Sequence, residues 1–481
     1  MSYEKKADRR QLFLFPPSVE DWVPPDHPAR FIAEFVDSLD LKELGIQVGH
    51  CDTGRPRYSS ELLLAVFIYC YFERIRSFRG MEKACLENIA VMWLTGLERP
   101  DHNTLWRFFR DNKQPLRSIL KQSVKVAAKA ELVGMVLHAV DGTKIEAQAS
   151  GKSAYYRTKL EKALKRVDAS IKELEDRLEA ASGDAMQTYR LPEELADATK
   201  RRNKIRKCLA ELDEADRNSL NPHERDARVM KTGGKRAFAY NGQAVTDAKA
   251  GVIVAGEVVN QETDNGLLVP MLESVTETAG DVAETTLADK GYSAAEDLAK
   301  AEEEGFDVLV NLGKNVDPPE GEEPFHTSRF SYDPERDSVI CPLGQELPLQ
   351  RVKKNRRGGD SEIKVYHCRS YEDCPRRWEC STNKRGRTIE LGPHHGAVTR
   401  QRERQRSEDA RKKLARRGVI AEPPFAIIKT VLEFRRWSYR DLDGNRTQWS
   451  LLCATVNLRK IYRKWRIDKA LPGAPSFAHA A

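Results

Sequence analysis

The chain lacks a long hydrophobic run, a phosphate-binding glycine loop and a recognisable export signal. Its longest apolar segment among 481 residues is Leu62–Phe72, LLLAVFIYCYF. That segment is too short to span a bilayer, so it predicts a buried helix. The first ten residues, MSYEKKADRR, are charged and unlike a secretory signal. We therefore expect a cytoplasmic protein with no membrane partner.

Other absences from the sequence reduce the number of function classes that the chain can belong to. No GxxxxGK[ST] motif is present, which disfavours a nucleotide-hydrolysing enzyme. The nine cysteines of a cytosolic chain are not expected to form disulfides. With 80 Lys+Arg against 73 Asp+Glu, the net charge of +7 permits a nucleic-acid partner without establishing one. Basic residues concentrate in four segments, each of which is either a phosphate-facing surface or a solvated face: 351–357, 376–387, 400–417 and 459–466.

The pattern of apolar residues divides the chain into a helical and a mixed region. Residues 1–130 predict a helical N-terminal domain. Its Arg107 and Arg110 share a predicted helix with aromatic residues, which suits DNA binding and suits helix packing equally. Residues 131–470 alternate strands with helices and predict an α/β catalytic domain, followed by a tail at 471–481.

A charged helical hairpin is predicted within the mixed region, at 152–220. Apolar residues recur there at steps of four and three, as in a heptad stripe. They are Leu160, Leu164, Val167, Ile171, Leu174 and Leu178. A second charged helix follows from about residue 192. The stripe is interpreted as the packing seam of this hairpin, with a dimer contact as the alternative.

Two predicted strands end in aspartates. MVLHAV leads into Asp141, after which Gly142–Thr143 predicts a turn and 144–147 a returning hairpin strand. ETTLA leads into Asp289. If the two strands lie side by side, both carboxylates emerge at one edge of the sheet. Such oxygen ligands suit magnesium or manganese.

A third carboxylate is needed for a site that holds two metal ions and displaces groups at phosphorus. Glu422 is the candidate, because Pro423–Pro424 after it suits the start of a helix. Lys429 follows seven residues later on the same helix face. A glutamate and a lysine at this spacing are also common on solvated helices.

Four of the nine cysteines lie within a polar, basic stretch at 325–400. They are Cys341, Cys368, Cys374 and Cys380. Four thiolates match a tetrahedral structural zinc site, although the spacing is not C-x-x-C. A module with so little apolar material usually needs a metal to fold. Arg376 and Arg377 would then border a DNA-facing surface.

Several segments together resemble the DDE transposases of bacterial insertion sequences, and most closely the group named for insertion sequence eleven-eighty-two. The segments are DGTKIEA, KRAFAYNGQAVTD, LADKGYSAAEDL, AEPPFAIIK and WSLLCATVNLRKI, in that order. The N-terminal segments GRPRYSSELLLAVFIYCYFERIRSFRGMEKAC and LERPDHNTLWRFFRDN also look like that group.

The resemblance implies an RNase H-like catalytic core in which Asp141, Asp289 and Glu422 bind two magnesium or manganese ions. Lys429 matches the lysine that follows the glutamate. It further implies cleavage at the ends of the element and strand transfer into target DNA, by a homodimer assembled on double-stranded DNA. Family members have an arginine where Gly418 stands, and Arg417 is one residue away. A DNA nuclease without strand transfer and an inactive end-binding protein are the alternatives.

Overall fold

The computed structural model describes residues 18–46, 57–180, 191–313, 317–318, 321–354 and 362–469. Six helices come first. Five of them begin at a side chain that accepts a backbone N–H of the first turn, which satisfies a donor that has no partner within the helix. The six are α1 (Pro28–Asp37), α2 (Ser60–Phe72), α3 (Phe78–Glu87), α4 (Ile89–Leu94), α5 (His102–Asp111) and α6 (Lys113–Lys129).

A helical hairpin follows strand β1 (Leu137–Glu146). Strands β2 (Tyr155–Tyr156) and β3 (Ser219–Leu220) pair at its base and flank helices α7 (Arg157–Ala180) and α8 (Leu191–Glu214). Val167, Ile171 and Ile205 bury their side chains between the helices. Arg157 at the start of α7 lies 2.7 Å from Asp213 near the end of α8, so the helices run antiparallel. The stripe is therefore the seam of this hairpin, as predicted; residues 181–190, between the two helices, lie outside the described residues.

The main sheet is mixed. Its further elements are β4 (Arg228–Thr232), β5 (Lys235–Asp247), β6 (Ile253–Val259), α9 (Leu268–Ala279), β7 (Thr285–Ala288), α10 (Ala295–Glu303) and β8 (Val308–Val310). The strand order is β4-β5-β1-β7-β8, with β6 also paired to β5. β1 runs antiparallel to β5 and parallel to β7, and β7 runs parallel to β8.

Strand β1 continues through Asp141 without turning. Asp141 pairs with Ala244 of β5, and the ladder goes on to Glu146 opposite Ala239. The predicted turn at Gly142–Thr143 and the predicted hairpin strand at 144–147 are therefore wrong. The physical reason for the glycine is lack of space, because a Cβ atom at Gly142 would lie 2.2 Å from Gln243 Nε2.

A second, five-stranded antiparallel sheet lies within 331–391. Its elements are β9 (Ser331–Asp333), β10 (Ser338–Ile340), β11 (Glu346–Lys354), β12 (Glu362–His367), α11 (Arg377–Cys380) and β13 (Thr388–Leu391). The strand order is β13-β12-β11-β10-β9. The buried hydrophobic side chains of its core are Val339, Leu347, Tyr366 and Ile389. This small core is separate from the main one.

Three helices close the fold: α12 (His395–Arg404), α13 (Glu408–Ala426) and α14 (Leu442–Lys469). A π-helical segment, Ile427–Val431, directly continues α13. Pro423 and Pro424 lie inside α13 near its end, so the prediction that they start a helix is wrong. The two rings remove successive N–H donors from the last turns, which accords with the change to π geometry.

Helix α14 joins the N-terminal helices to the sheet in one hydrophobic core. Asn457 accepts a hydrogen bond from Ile253 N at 2.8 Å and donates to Ser123 Oγ of α6 at 3.1 Å. Trp437 and Trp449 are buried in this core. In the described ranges, no helix combines the length and the apolar character needed to cross a membrane.

Candidate active site

Asp141 and Asp289 are brought together by the parallel pairing of β1 with β7. Leu137 pairs with Thr285 and Ala139 with Leu287, so the same register carries Asp141 to the level of Asp289, one residue beyond the end of β7. Alternation along the strands places both carboxylates on the face that α13 covers, since Ala139 and Leu287 pack there against Ile420 and Ala421 of that helix. The predicted juxtaposition is thus present.

The carboxylate of Asp141 is held in a poorly solvated position. Its side chain is 20% exposed, and burial raises its pKa. The charge of Asp289 raises the pKa further, whereas a 2.8 Å hydrogen bond from Gly142 N and the nearby Arg417 lower it. A buried carboxylate that ionises less readily beside a second aspartate favours a cation between the two.

Two cations of the C-terminal region face Asp141. Arg417 Nη1 of α13 lies 3.2 Å from Asp141 Oδ2, and its side chain is 19% exposed. Lys429 lies in the π-helical segment and is half-buried; burial lowers its pKa, and the charge of Asp141 opposes that shift. Arg417 therefore reaches the site although it stands one position before the family's arginine.

Glu422 lies on α13, five residues after Arg417, with an exposed side chain that turns back toward Gly418. Across the described parts of the chain, no group of three or more His, Cys, Asp or Glu side chains is arranged to hold a metal ion. The structure thus brings together Asp141, Asp289, Arg417 and Lys429, while the addition of Glu422 to a metal site stays a prediction.

A further carboxylate adjoins the site and has no role in the sequence-based prediction. Asp264 lies between β6 and α9, and its side chain is 15% exposed. It accepts hydrogen bonds from Lys144, Asn241 and Gln243. The segment TDNG at 263–266 suggests only a turn. Its partners come from β1 and β5, so no local sequence signal could have identified it.

The arginines predicted to bind DNA have varied surroundings. Arg107 and Arg110 of α5 are exposed, and Arg110 stacks on Trp106 and pairs with Asp111. Arg376 pairs with Glu379. Arg377 lies over the rings of Tyr371 and Trp378. Arg417 is drawn into the site, as described above, and the DNA-binding role of all five stays a prediction.

The four cysteines of the second sheet lie near one another. Burial raises the pKa of Cys368 and Cys380, and the charges of the neighbouring cysteines add to both shifts. The Sγ atom of Cys341 accepts hydrogen bonds from Leu343 N and Gln345 N, both at 3.3 Å. Of the other cysteines, Cys70, Cys85, Cys208 and Cys453 are buried, and Cys51 lies outside the described residues.

Comparison with known proteins gives two matches to family models. Residues 340–462 match a model described as a transposase DDE domain, and residues 17–111 match one described as a transposase domain (DUF772). Neither match reaches Asp141 or Asp289. Neither the curated proteins nor the solved structures gave a match. The two matches, with the mixed α/β architecture, support a DDE transposase.

Proposed function

We propose that the chain is a DNA transposase that cuts at the ends of an insertion sequence and joins the freed 3′ hydroxyl to target DNA. The observation that carries this proposal is the packing of α13, which lies in the region matched to a transposase DDE domain, onto Asp141 and its neighbours. Both steps are in-line displacements at phosphorus, so one site can serve both.

The chain's own residues suggest how the site operates within an RNase H-like core. Asp141 and Asp289 would hold two magnesium or manganese ions, and Glu422 would complete the site. When bound, the two ions activate the attacking oxygen and stabilise the leaving oxygen. Arg417 pairs with Asp141 in the structure. When the metal ions bind, its side chain would leave that carboxylate and contact a DNA phosphate. Lys429, half-buried beside the site, would contact a phosphate near the cut.

DNA would be held largely through its phosphates, which supply most of the affinity of such interfaces. Arg107 and Arg110 on α5, together with Arg376 and Arg377 beside the second sheet, are the proposed contacts. Transposition cuts two ends together, so we propose that a homodimer assembles on the terminal inverted repeats. We propose that the element belongs to the group named for insertion sequence eleven-eighty-two, as the sequence resemblance implies.

The test is magnesium-dependent cleavage of a duplex that carries the terminal inverted repeats flanking the gene. We expect Asp141→Asn to lower the rate by roughly 10³-fold, because losing metal stabilisation of about 4 kcal/mol has that effect. Glu422→Gln should act similarly. Matched controls are Asp281→Asn, an exposed aspartate, and Glu408→Gln, an exposed glutamate of α13.

Three outcomes separate the alternatives. Cleavage followed by joining to a second duplex supports the transposase. Cleavage without joining favours a nuclease. Equal DNA binding by the wild type and Asp141→Asn, with cleavage by neither, favours an inactive end-binding protein and contradicts the proposal.

We also propose that Cys341, Cys368, Cys374 and Cys380 bind a structural zinc ion. Their proximity and the two N–H donors to Cys341 Sγ support this, since such donors stabilise a thiolate. The core of the second sheet contains only a few buried side chains in the described residues. Metal binding would draw the four sulfur atoms together and contribute folding energy that this core does not supply.

Metal analysis of the purified protein tests the zinc proposal. We expect one zinc ion per chain, lost in Cys368→Ser combined with Cys374→Ser, and retained in Cys85→Ser, which alters a buried thiol of the N-terminal region. Zinc content unaffected by the double substitution would contradict the assignment, as would a wild-type protein without zinc.

A further inference from the structure

Asp264 holds together three side chains that project from two neighbouring strands. Its Oδ1 accepts hydrogen bonds from Asn241 Nδ2 at 2.7 Å and Gln243 Nε2 at 2.8 Å. Lys144 Nζ lies 3.0 Å from Oδ2 and 3.2 Å from Oδ1. With three side-chain donors, one of them a lysine, the largely buried carboxylate is well compensated. It is therefore poorly suited to bind a cation directly and well suited to fix its neighbours.

The same carboxylate abuts both segments that carry the paired aspartates. A Cβ atom at Gly142, next to Asp141, would lie 3.0 Å from Asp264 Oδ1. A Cβ atom at Gly291 would lie 3.0 Å from Asp264 Oδ2 and 2.9 Å from Asp289 Oδ1. Glycine at these two positions lets Asp264 fit between the two segments.

The turn that carries Asp289 is fixed at two points. Gly291 N donates to Asp289 Oδ1 at 2.8 Å, so the position of Gly291 orients the carboxylate. One residue on, the hydroxyl of Tyr292 donates to Gln243 Oε1, while the amide of Gln243 donates to Asp264. Asp264 thus lies beside the turn at Gly291 and is linked to it through Gln243 and Tyr292.

Asp264 acts from the side of the sheet opposite Asp141. Gly142 has the same parity along β1 as Val140, which packs in the main core, whereas Ala139 and Asp141 face α13. We infer that Asp264 is a positioning residue, which sets the separation and orientation of Asp141 and Asp289 by locking the Asp289 turn onto β1 and β5. This inference rests on the proposed function, because it concerns the metal affinity of that aspartate pair.

The test substitutes Asp264→Asn and measures metal binding and cleavage separately. The amide keeps the size but presents an N–H₂ group to donors and loses the charge that faces Lys144. Substitutions of residues that orient metal ligands typically lower metal affinity roughly 10- to 100-fold. We therefore expect the half-saturating magnesium concentration for cleavage to rise about 10-fold, with most of the rate recovered at saturation. Manganese binding to the DNA-free protein, followed by electron paramagnetic resonance, should weaken by the same factor.

Asp297→Asn is the matched control, because Asp297 is also buried and accepts a hydrogen bond, from Gly266 N at 2.6 Å. Its hydrogen bond fixes Gly266 rather than the Asp289 turn, so we expect both metal measurements to stay unchanged. Should Asp264→Asn not fold, Gly291→Ala replaces it. The added methyl would displace Asp289 or Asp264 and should likewise weaken manganese binding.

The outcomes separate this inference from the proposed function. Wild-type metal affinity in folded Asp264→Asn or Gly291→Ala overturns the positioning role alone. A wild-type protein that binds manganese through Asp141 and Asp289 but cuts no DNA overturns the proposed function, and the manganese titration still decides the role of Asp264. A wild-type protein that neither binds manganese nor cleaves overturns both.

Discussion

Two aspartates on the paired strands β1 and β5 have contrasting environments. Asp247 is 1% exposed and accepts hydrogen bonds from Gly134 N, Met135 N and Lys249 N at 3.1, 2.9 and 2.9 Å. Burial acts to raise its pKa, but His138 and these backbone donors lower it below the usual value. Asp141 has one backbone donor and one arginine, and its pKa is raised.

The contrast separates a structural carboxylate from a functional one. The fold satisfies Asp247 fully, at the junction of two loops with the end of β5. It leaves Asp141 under-compensated next to a second aspartate, where a bound cation would supply what is missing. The two residues therefore respond differently to the same substitution, and each response can be measured.

The largest effect on stability is expected at Asp247. Asp247→Asn should lower the free energy of unfolding at pH 7 by about 2–3 kcal/mol, because the amide leaves buried donors without an acceptor. The folded-state pKa is depressed, so this stabilisation is fully present above the unfolded-state pKa near 4 and is lost as pH falls through the lower folded-state value. Urea unfolding between pH 7 and pH 3 measures both quantities.

Asp281→Asn provides the control, since this aspartate is exposed and accepts a local hydrogen bond from Val282 N at 2.7 Å. It should leave stability and its pH dependence unchanged. If Asp247→Asn kept the wild-type slope below pH 4, the contrast with Asp141 would lose its basis.

The sequence predicted which elements surround the site better than it predicted the geometry of those elements. The strands leading to Asp141 and Asp289 and the helical hairpin were identified, whereas the helix near Glu422 was predicted with the wrong start. The turn at Gly142 was mispredicted because glycine marks both turns and close packing, and only the fold reveals Gln243 beside it. Asp264 was missed because its partners are distant in sequence.

The error at Pro423–Pro424 has a related cause. Proline is tolerated in the first turn of a helix, and that rule predicted a helix start. The structure instead places both rings near the end of α13, where the chain changes to π geometry before Lys429. Packing of Phe425 and Ile428 in the main core keeps the chain helical there. Burial therefore outweighed the local preference of proline for a helix start. The sequence pattern alone does not show which of these two effects is the stronger.

The smallest effect, and one of opposite sign, is expected at Asp141 in the metal-free protein. Because its folded-state pKa is raised, ionised Asp141 disfavours the folded state at any pH above that value. Asp141→Asn removes this charge, its repulsion with Asp289 and its ion pair with Arg417; because the pKa of Asp141 is raised on balance, burial and repulsion outweigh that ion pair. We expect the free energy of unfolding at pH 7 to rise by about 1 kcal/mol, measured by urea unfolding with a chelator present.

Magnesium should stabilise the wild type but not the variant, since only the wild type retains the carboxylate pair. A variant less stable than the wild type without metal would mean that Arg417 already compensates Asp141, and the distinction between the two aspartates would then be one of degree.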